Sequence, residues 1–221
     1  MQGAEHFEHT LYPLQDDVLA IVSALDTNLY LSGGTAASRG YLGHRFSDDL
    51  DMFANDDAQF TLWADRVVFA LTNHADMVCT VQLREERFVR ATVRRADVDL
   101  KVELINDVPS HVGEITVHPV LGRLDSAENI LANKVTAALD RSEPKDLADI
   151  WGFCHIVGCS LQDAIVGAQS KAAGVFPADL ARVLYMTTED DWARIRWRKA
   201  PPASQFVMDL QRLAEELLLA Q

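Results

Sequence analysis

Leu31-Ser32-Gly33-Gly34-Thr35 and, ten residues on, Arg45-Phe46-Ser47-Asp48-Asp49-Leu50-Asp51 decide how this chain folds. Asn28 to Ser32 reads as a short strand that runs into Gly33 and Gly34, with a helix starting near Thr35. Glycines at such a turn let the backbone approach a phosphate, and the amides of the first helical turn point at it. By itself Gly-Gly-Thr is equally an ordinary strand-to-helix turn. Asp49 and Asp51 narrow the choice. They lie two residues apart on a second expected strand, Asp49 to Ala54, so both carboxylates leave the same face. That spacing suits one or two Mg²⁺ ions, hard cations held by carboxylate and phosphate oxygens, clamped on a triphosphate.

Working outward, Leu14, Val18, Ile21, Val22 and Leu25 recur at helical spacing before the glycine turn. After the acidic pair come a helix at Gln59 to Thr72 and a hairpin. Its arms, Met77 to Leu83 and Phe88 to Val93, are joined by the charged run Arg84 to Arg87. The clearest strand is Asp97 to Ile105, where Val98, Leu100, Val102 and Leu104 alternate with Asp99, Lys101 and Glu103. Glu103 on the polar face is the candidate third carboxylate, with Asp99 the fallback. In two-metal displacement such a set steadies the attacking and leaving oxygens. Any one of these acids alone reads as a solvated charge. The ordered set is harder to account for that way.

From Asp125 onward helices dominate. Asp125 with Glu128 three residues later forms a capping-box pattern, and Ser142 before Pro144 opens another helix. Further helices are expected at Leu161 to Ala172, Pro177 to Tyr185 and Gln205 to Leu219. No internal repeat is present. The junction near residues 107 to 125 divides the chain into an α/β part, 1–120, and a helical part, 121–221.

The 221 residues are 48% hydrophobic, ample for a packed core, and carry 20 Lys and Arg against 33 Asp and Glu, a net charge of −13. That balance is the reverse of a nucleic-acid-binding footprint, so a polyanionic substrate needs a local basic patch. Arg194, Arg196, Arg198 and Lys199 around Trp192 and Trp197 are one candidate, able to hold phosphates and stack on bases; a solvated charged face is the alternative. Cys79, Cys154 and Cys159 form neither a disulfide framework nor a zinc motif and read as buried thiols, and the seven histidines show no zinc spacing. The absence of a signal-peptide pattern or a long apolar run points to a cytoplasmic chain with no membrane contact.

Taken together, Leu31-Ser32-Gly33-Gly34-Thr35-Ala36, Arg45-x-Ser47-x-Asp49-Leu50-Asp51, and Asn129-Ile130-Leu131-Ala132-Asn133-Lys134 running into Arg141-x-x-x-Lys145-Asp146-x-x-Asp149 resemble the AbiEii-type nucleotidyltransferase toxins. That family belongs to the DNA polymerase β-like superfamily, and the likeness spans roughly residues 29 to 153. The resemblance implies an α+β fold, with an N-terminal nucleotidyltransferase domain of mixed sheet and flanking helices followed by a helical C-terminal domain. It implies that Gly33, Gly34 and Thr35 seat the NTP phosphates and that Asp49 and Asp51, with Glu103 as third ligand or base, bind Mg²⁺. Lys134 would touch the triphosphate, and Asp146 or Asp149 would support the site. Arg45, Ser47 and Lys145 join the nucleotide-binding set. Family members usually carry aspartate where Glu103 stands. Lys134 and Arg141 share a helix face at i and i+7, and a lysine whose stem lies on apolar surface while its ammonium reaches water is the plain alternative for Lys134.

The activity so implied is transfer of a nucleoside monophosphate from an NTP to a hydroxyl, with two Mg²⁺ ions and RNA or a tRNA 3′ end as acceptor. The setting would be a toxin–antitoxin or phage-defence pair with an antitoxin partner. The alternatives are a small-molecule or protein acceptor, or a non-catalytic NTP-binding protein. No motif is legible after about residue 155.

Overall fold

The computed structural model describes residues 3–141 and 143–219. The chain divides into two compact units. The first comprises Met1–Ala36, Ser47–Pro109 and Ile115–Asp125; the second comprises Ala37–Phe46, Ser110–Glu114 and Ser126–Gln221. The division differs from a cut at residue 120 in three places: 121–125 stays with the first unit, and 37–46 and 110–114 join the second.

The first unit is built on a seven-stranded mixed sheet of order β3-β4-β5-β2-β1-β7-β6. Its strands are β1 (Tyr30–Ser32), β2 (Leu50–Asn55), β3 (Val78–Glu85), β4 (Phe88–Arg95), β5 (Val98–Asp107), β6 (Thr116–His118) and β7 (Gly122–Leu124). β2 and β5 alternate between buried and half-buried residues, as their period-2 pattern requires. Leu50, Met52 and Ala54 of β2, Leu100, Val102 and Leu104 of β5, and Val89, Ala91 and Val93 of β4 form the buried face. The helix Phe60–Thr72 buries Phe60, Trp63, Ala64, Val67 and Leu71, one stripe at helical spacing, and Tyr12–Ser23 buries Leu14, Val18 and Val22 in the same way.

β6 and β7 were not expected from the sequence, because strands of three residues are too short to show a period. β7 adds to the sheet by pairing Leu31 with Leu124 in parallel, which is why the first unit runs on to Asp125.

The second unit is helical: Ala127–Arg141, Pro144–Gly152 continued by a wider turn Phe153–Val157, Leu161–Gln169, Pro177–Tyr185, Glu189–Ala193 and Ala203–Leu219. The first of these is capped by Ser126, whose hydroxyl accepts the Asn129 amide at 3.0 Å. Asp125, the cap expected from the sequence, instead accepts the Ser32 hydroxyl at 2.5 Å inside the first unit. Pro144 stands in the first turn of its helix, with Glu143 at the cap position; the expected cap Ser142 lies outside the described residues. The three cysteines are free and half-buried, less enclosed than expected, and burial raises each thiol pKa, that of Cys154 to about 12. Among the described residues, no helix is long and apolar enough to cross a membrane.

Candidate functional site

Sheet register assembles the acidic site in the first unit. β1 and β2 run antiparallel with Ser32 opposite Asp51; β2 and β5 run parallel with Asp51 beside Glu103; β4 and β5 run antiparallel with Arg90 beside Glu103. Asp51, Glu103 and Arg90 therefore sit side by side on one sheet face. Gly33 begins the turn after β1 with a positive φ of 66°, and a Cβ there would overlap the Asp51 carboxylate. Only glycine allows both the backbone turn and this approach.

The segment carrying Asp49 is clamped from behind. Gln15, fully buried, donates to the carbonyls of Ser47 at 3.2 Å and Asp48 at 2.9 Å. The Thr35 hydroxyl reaches the Ser47 hydroxyl at 3.0 Å and donates to the Asp49 carbonyl at 2.5 Å. Thr35 and Ser47 are only 1% and 7% exposed, so they shape the loop that presents Asp49, where the sequence suggested direct phosphate contacts. Gly33 and Gly34 remain half-exposed.

The three carboxylates do not form a bare acidic cluster. Arg90 Nε donates to Glu103 Oε1 at 2.6 Å, and Lys101 Nζ lies 3.0 Å from Asp49 Oδ2 and 3.5 Å from Glu103 Oε2. Burial works against the Lys101 ammonium, but Asp49, Glu103 and Asp51 outweigh it and raise its pKa. Among the described residues, no three His, Cys, Asp or Glu side chains stand together as a metal-binding group. The fallback Asp99 is engaged at an exposed position by Arg94, at 2.5 and 2.8 Å. Lys101 and Arg90 went unassigned in the sequence. Lys101 was visible on the polar face of its strand, whereas Arg90 depends on cross-strand register.

The second unit gathers the other motif residues around two buried carboxylates. Lys134 Nζ donates to Asp146 Oδ1 at 2.8 Å and lies 2.8 Å from Asp149 Oδ2. Arg45 grips Asp149 with both arms of its fork, at 2.7 and 2.6 Å, and Arg141 holds Asp146 at 2.8 and 3.1 Å. Burial alone would raise the Asp149 carboxyl, but Arg45 and Lys134, with His44, hold it well below the usual carboxylate range. Asp146 is lowered too, burial being outweighed chiefly by Lys134 and Arg141. Lys134, 6% exposed and chelated, neither reaches out to water nor presents an open charge to a triphosphate. Asp146 and Asp149 are closed off as well. Lys145 remains at the surface, 2.8 Å from Glu143.

His44, passed over in the sequence, completes this cluster. Its Nε2 stands 3.1 Å from Asp149 Oδ1, close but poorly aligned for a hydrogen bond, and burial lowers its pKa despite the carboxylate. Trp192 and Trp197 are not open stacking platforms. Trp197 packs on Phe206, His44, Trp151 and Trp192, and both indole N–H groups are spent on carbonyls, of Pro201 and Trp192.

A glycine turn closed on an Asp-x-Asp strand within a mixed sheet defines the nucleotidyltransferase class. The chain belongs to the AbiEii nucleotidyl transferase toxin family of type IV toxin–antitoxin systems, whose model matches residues 17–198. Its fold is similar to that of JHP933 from Helicobacter pylori, with a TM-score of 0.65 at 19% identity over 100% of this chain and 94% of that one. It is similar also to MenT4, a nucleotidyltransferase toxin from Mycobacterium tuberculosis, with a TM-score of 0.65 at 18% identity over 94% of this chain and 82% of that one. No curated protein matches the chain.

Proposed function

We propose that this enzyme transfers a nucleoside monophosphate from an NTP to a hydroxyl of RNA, with Mg²⁺, as the toxin of an antitoxin-controlled or phage-defence pair. The observation that carries the reading is the Gly33 turn packed against the Asp51 carboxylate, with Asp49 presented on the same face by Gln15 and Thr35. The donor set fits Mg²⁺, which is commonly held by one or two carboxylates together with substrate phosphates. Asp49 and Asp51 would hold it; when bound, it supplies charge stabilisation to the phosphoryl oxygens.

The chain's own residues do the rest. The amides after Gly33 and Gly34 receive the phosphates of the NTP. The acceptor hydroxyl attacks the α-phosphorus, the bond to pyrophosphate breaks, and the hydroxyl proton passes to a carboxylate. Glu103, whose Oε1 accepts from Arg90 and whose Oε2 lies 3.5 Å from Lys101 Nζ, would take that proton through Oε2 or serve as third ligand. Lys134, Arg45, Asp146 and Asp149 act by holding their segments in place, and Lys145 is the exposed cation of the set. The net charge of −13 favours a second reading, transfer to a small-molecule hydroxyl.

Incubation with Mg²⁺, α-labelled NTPs and total RNA separates the two, because label appears in RNA under the first reading and in a small product under the second. Asp49→Asn is expected to abolish labelling while leaving the thermal transition in place, since the Asp49 carboxylate is part-exposed and paired with the part-exposed Lys101. Wild-type labelling by Asp49→Asn would remove Asp49 from the site.

A further inference from the structure

The acidity of the chain is uneven. The first unit has 8 Lys and Arg against 19 Asp and Glu, the second 12 against 14. Within the second unit, Arg194-Ile195-Arg196-Trp197-Arg198-Lys199 places four cations in six residues with no acid between them.

This segment is a fixed ribbon, held by its backbone. The Phe46 amide donates to the Arg196 carbonyl at 2.8 Å, and the amides of Arg198 and Lys199 donate to the His44 carbonyl at 2.8 and 2.9 Å. Arg45 and Trp197 form an antiparallel bridge. Trp197 is drawn into the aromatic cluster and Ile195 is buried, while Arg194, Arg196 and Arg198 are exposed. Beside the ribbon lies a cleft of about 280 Å³ lined by Arg45, Lys145, Arg194 and Arg196, with Glu143 its one acid. The Glu143 carboxyl is lowered first by its hydrogen bond from Lys145.

We infer that this ribbon and cleft bind the phosphate backbone of a single-stranded RNA. The charges form a row that continues past the cleft to Lys199, which suits a polymer better than one small anion. With both indole N–H groups engaged by backbone carbonyls, the contact is electrostatic and carries little base preference. A chain of net charge −13 then holds a polyanion only through this local patch, so binding weakens steeply with salt. The inference takes its choice of RNA from the function proposed above; the cation row stands apart from it.

The test uses the full chain, a fluorescent single-stranded RNA, and anisotropy titrations across a salt series. Four phosphate contacts on a single strand give a log–log slope of about −2.8, a loss of roughly 50-fold in affinity between about 50 and about 200 mM salt. Arg196→Ala/Arg198→Ala, with an unchanged thermal transition as the folding control, is expected to cut the slope by about half. Asp49→Asn is expected to bind RNA as wild type does. Unlabelled DNA of the same sequence, tripolyphosphate and polyglutamate serve as competitors.

An unchanged slope in the double variant would overturn the inference, whatever the transfer assay shows. So would polyglutamate or tripolyphosphate competing as well as RNA at equal charge, which would make the patch a site for acidic protein or a small anion. DNA competing equally would confirm backbone recognition without sugar selectivity. Salt-sensitive RNA binding that falls in the double variant, without transfer of label to RNA, would defeat the acceptor reading and leave the ribbon standing.

Discussion

Asp149→Asn tests the least visible part of this protein. In the folded chain the Asp149 carboxylate is fully buried between Lys134 at 2.8 Å, the Arg45 fork at 2.6 and 2.7 Å, and His44 at 3.1 Å. Asparagine keeps the shape and one acceptor oxygen but removes the charge. Lys134 then keeps only the charge of Asp146, which Arg141 already engages, and Arg45 loses the charge that both arms of its fork grip. Breaking a buried pair by deleting one partner costs about 3–5 kcal/mol, because the remaining charge keeps its desolvation penalty. For a chain of this size that corresponds to a fall in Tm of roughly 6–20 °C. Lys134→Met is expected to cost less, since each carboxylate it leaves behind retains an arginine. Thermal and urea unfolding of both variants measures the order as well as the size. If Asp149→Asn stays within about 1 kcal/mol of wild type, or Lys134→Met is the more damaging, the cluster is more hydrated than the geometry implies.

Two further outcomes follow from the same contacts. Gly33→Ala places a Cβ against the Asp51 carboxylate at a φ of 66°, so a strain of about 1–2 kcal/mol is expected with a larger fall in transfer rate than in stability; equal losses in both would mean Asp51 is not at the reacting centre. Stability should also depend on pH in a set order. The lowered His44 stays neutral when folded while the unfolded chain takes up a proton, so stability falls as pH drops below 6.5; the lowered Asp146 and Asp149 add a second loss as pH passes below 3.8 toward their folded values. The raised Lys134 works the other way, its contribution full below 10.5 and lost as pH rises through its folded value. Urea midpoints that stay flat between about pH 6.5 and about pH 4 would contradict a neutral buried His44.

Thr35 and Ser47 stand in a phosphate-loop pattern but turn inward, because a loop that presents Asp49 needs its own backbone satisfied first. Trp192 and Trp197 stand with a basic run, as stacking residues would, yet Trp197 packs its ring on Trp192 and Phe206. Asp125 and Ser126 are adjacent and equally good caps on paper. The Ser32 hydroxyl, 93 residues from Asp125, settles which one caps the helix.

The amino-acid order alone determined whatever depends on neighbours along the chain. Asp51 leaves the face opposite buried Leu50 and Met52 because strands alternate every second residue, Phe60–Thr72 buries one stripe because helices turn every 3.6, and the glycine turn falls where a strand ends. Tertiary structure decided which charges meet. Arg90 faces Glu103 through strand register, and Lys134, Arg45 and His44 converge on Asp149 across up to 105 residues of sequence. The physical reason is that such pairs owe nothing to local periodicity. They form because a charge withdrawn from water must find its opposite wherever the packed chain brings one within reach.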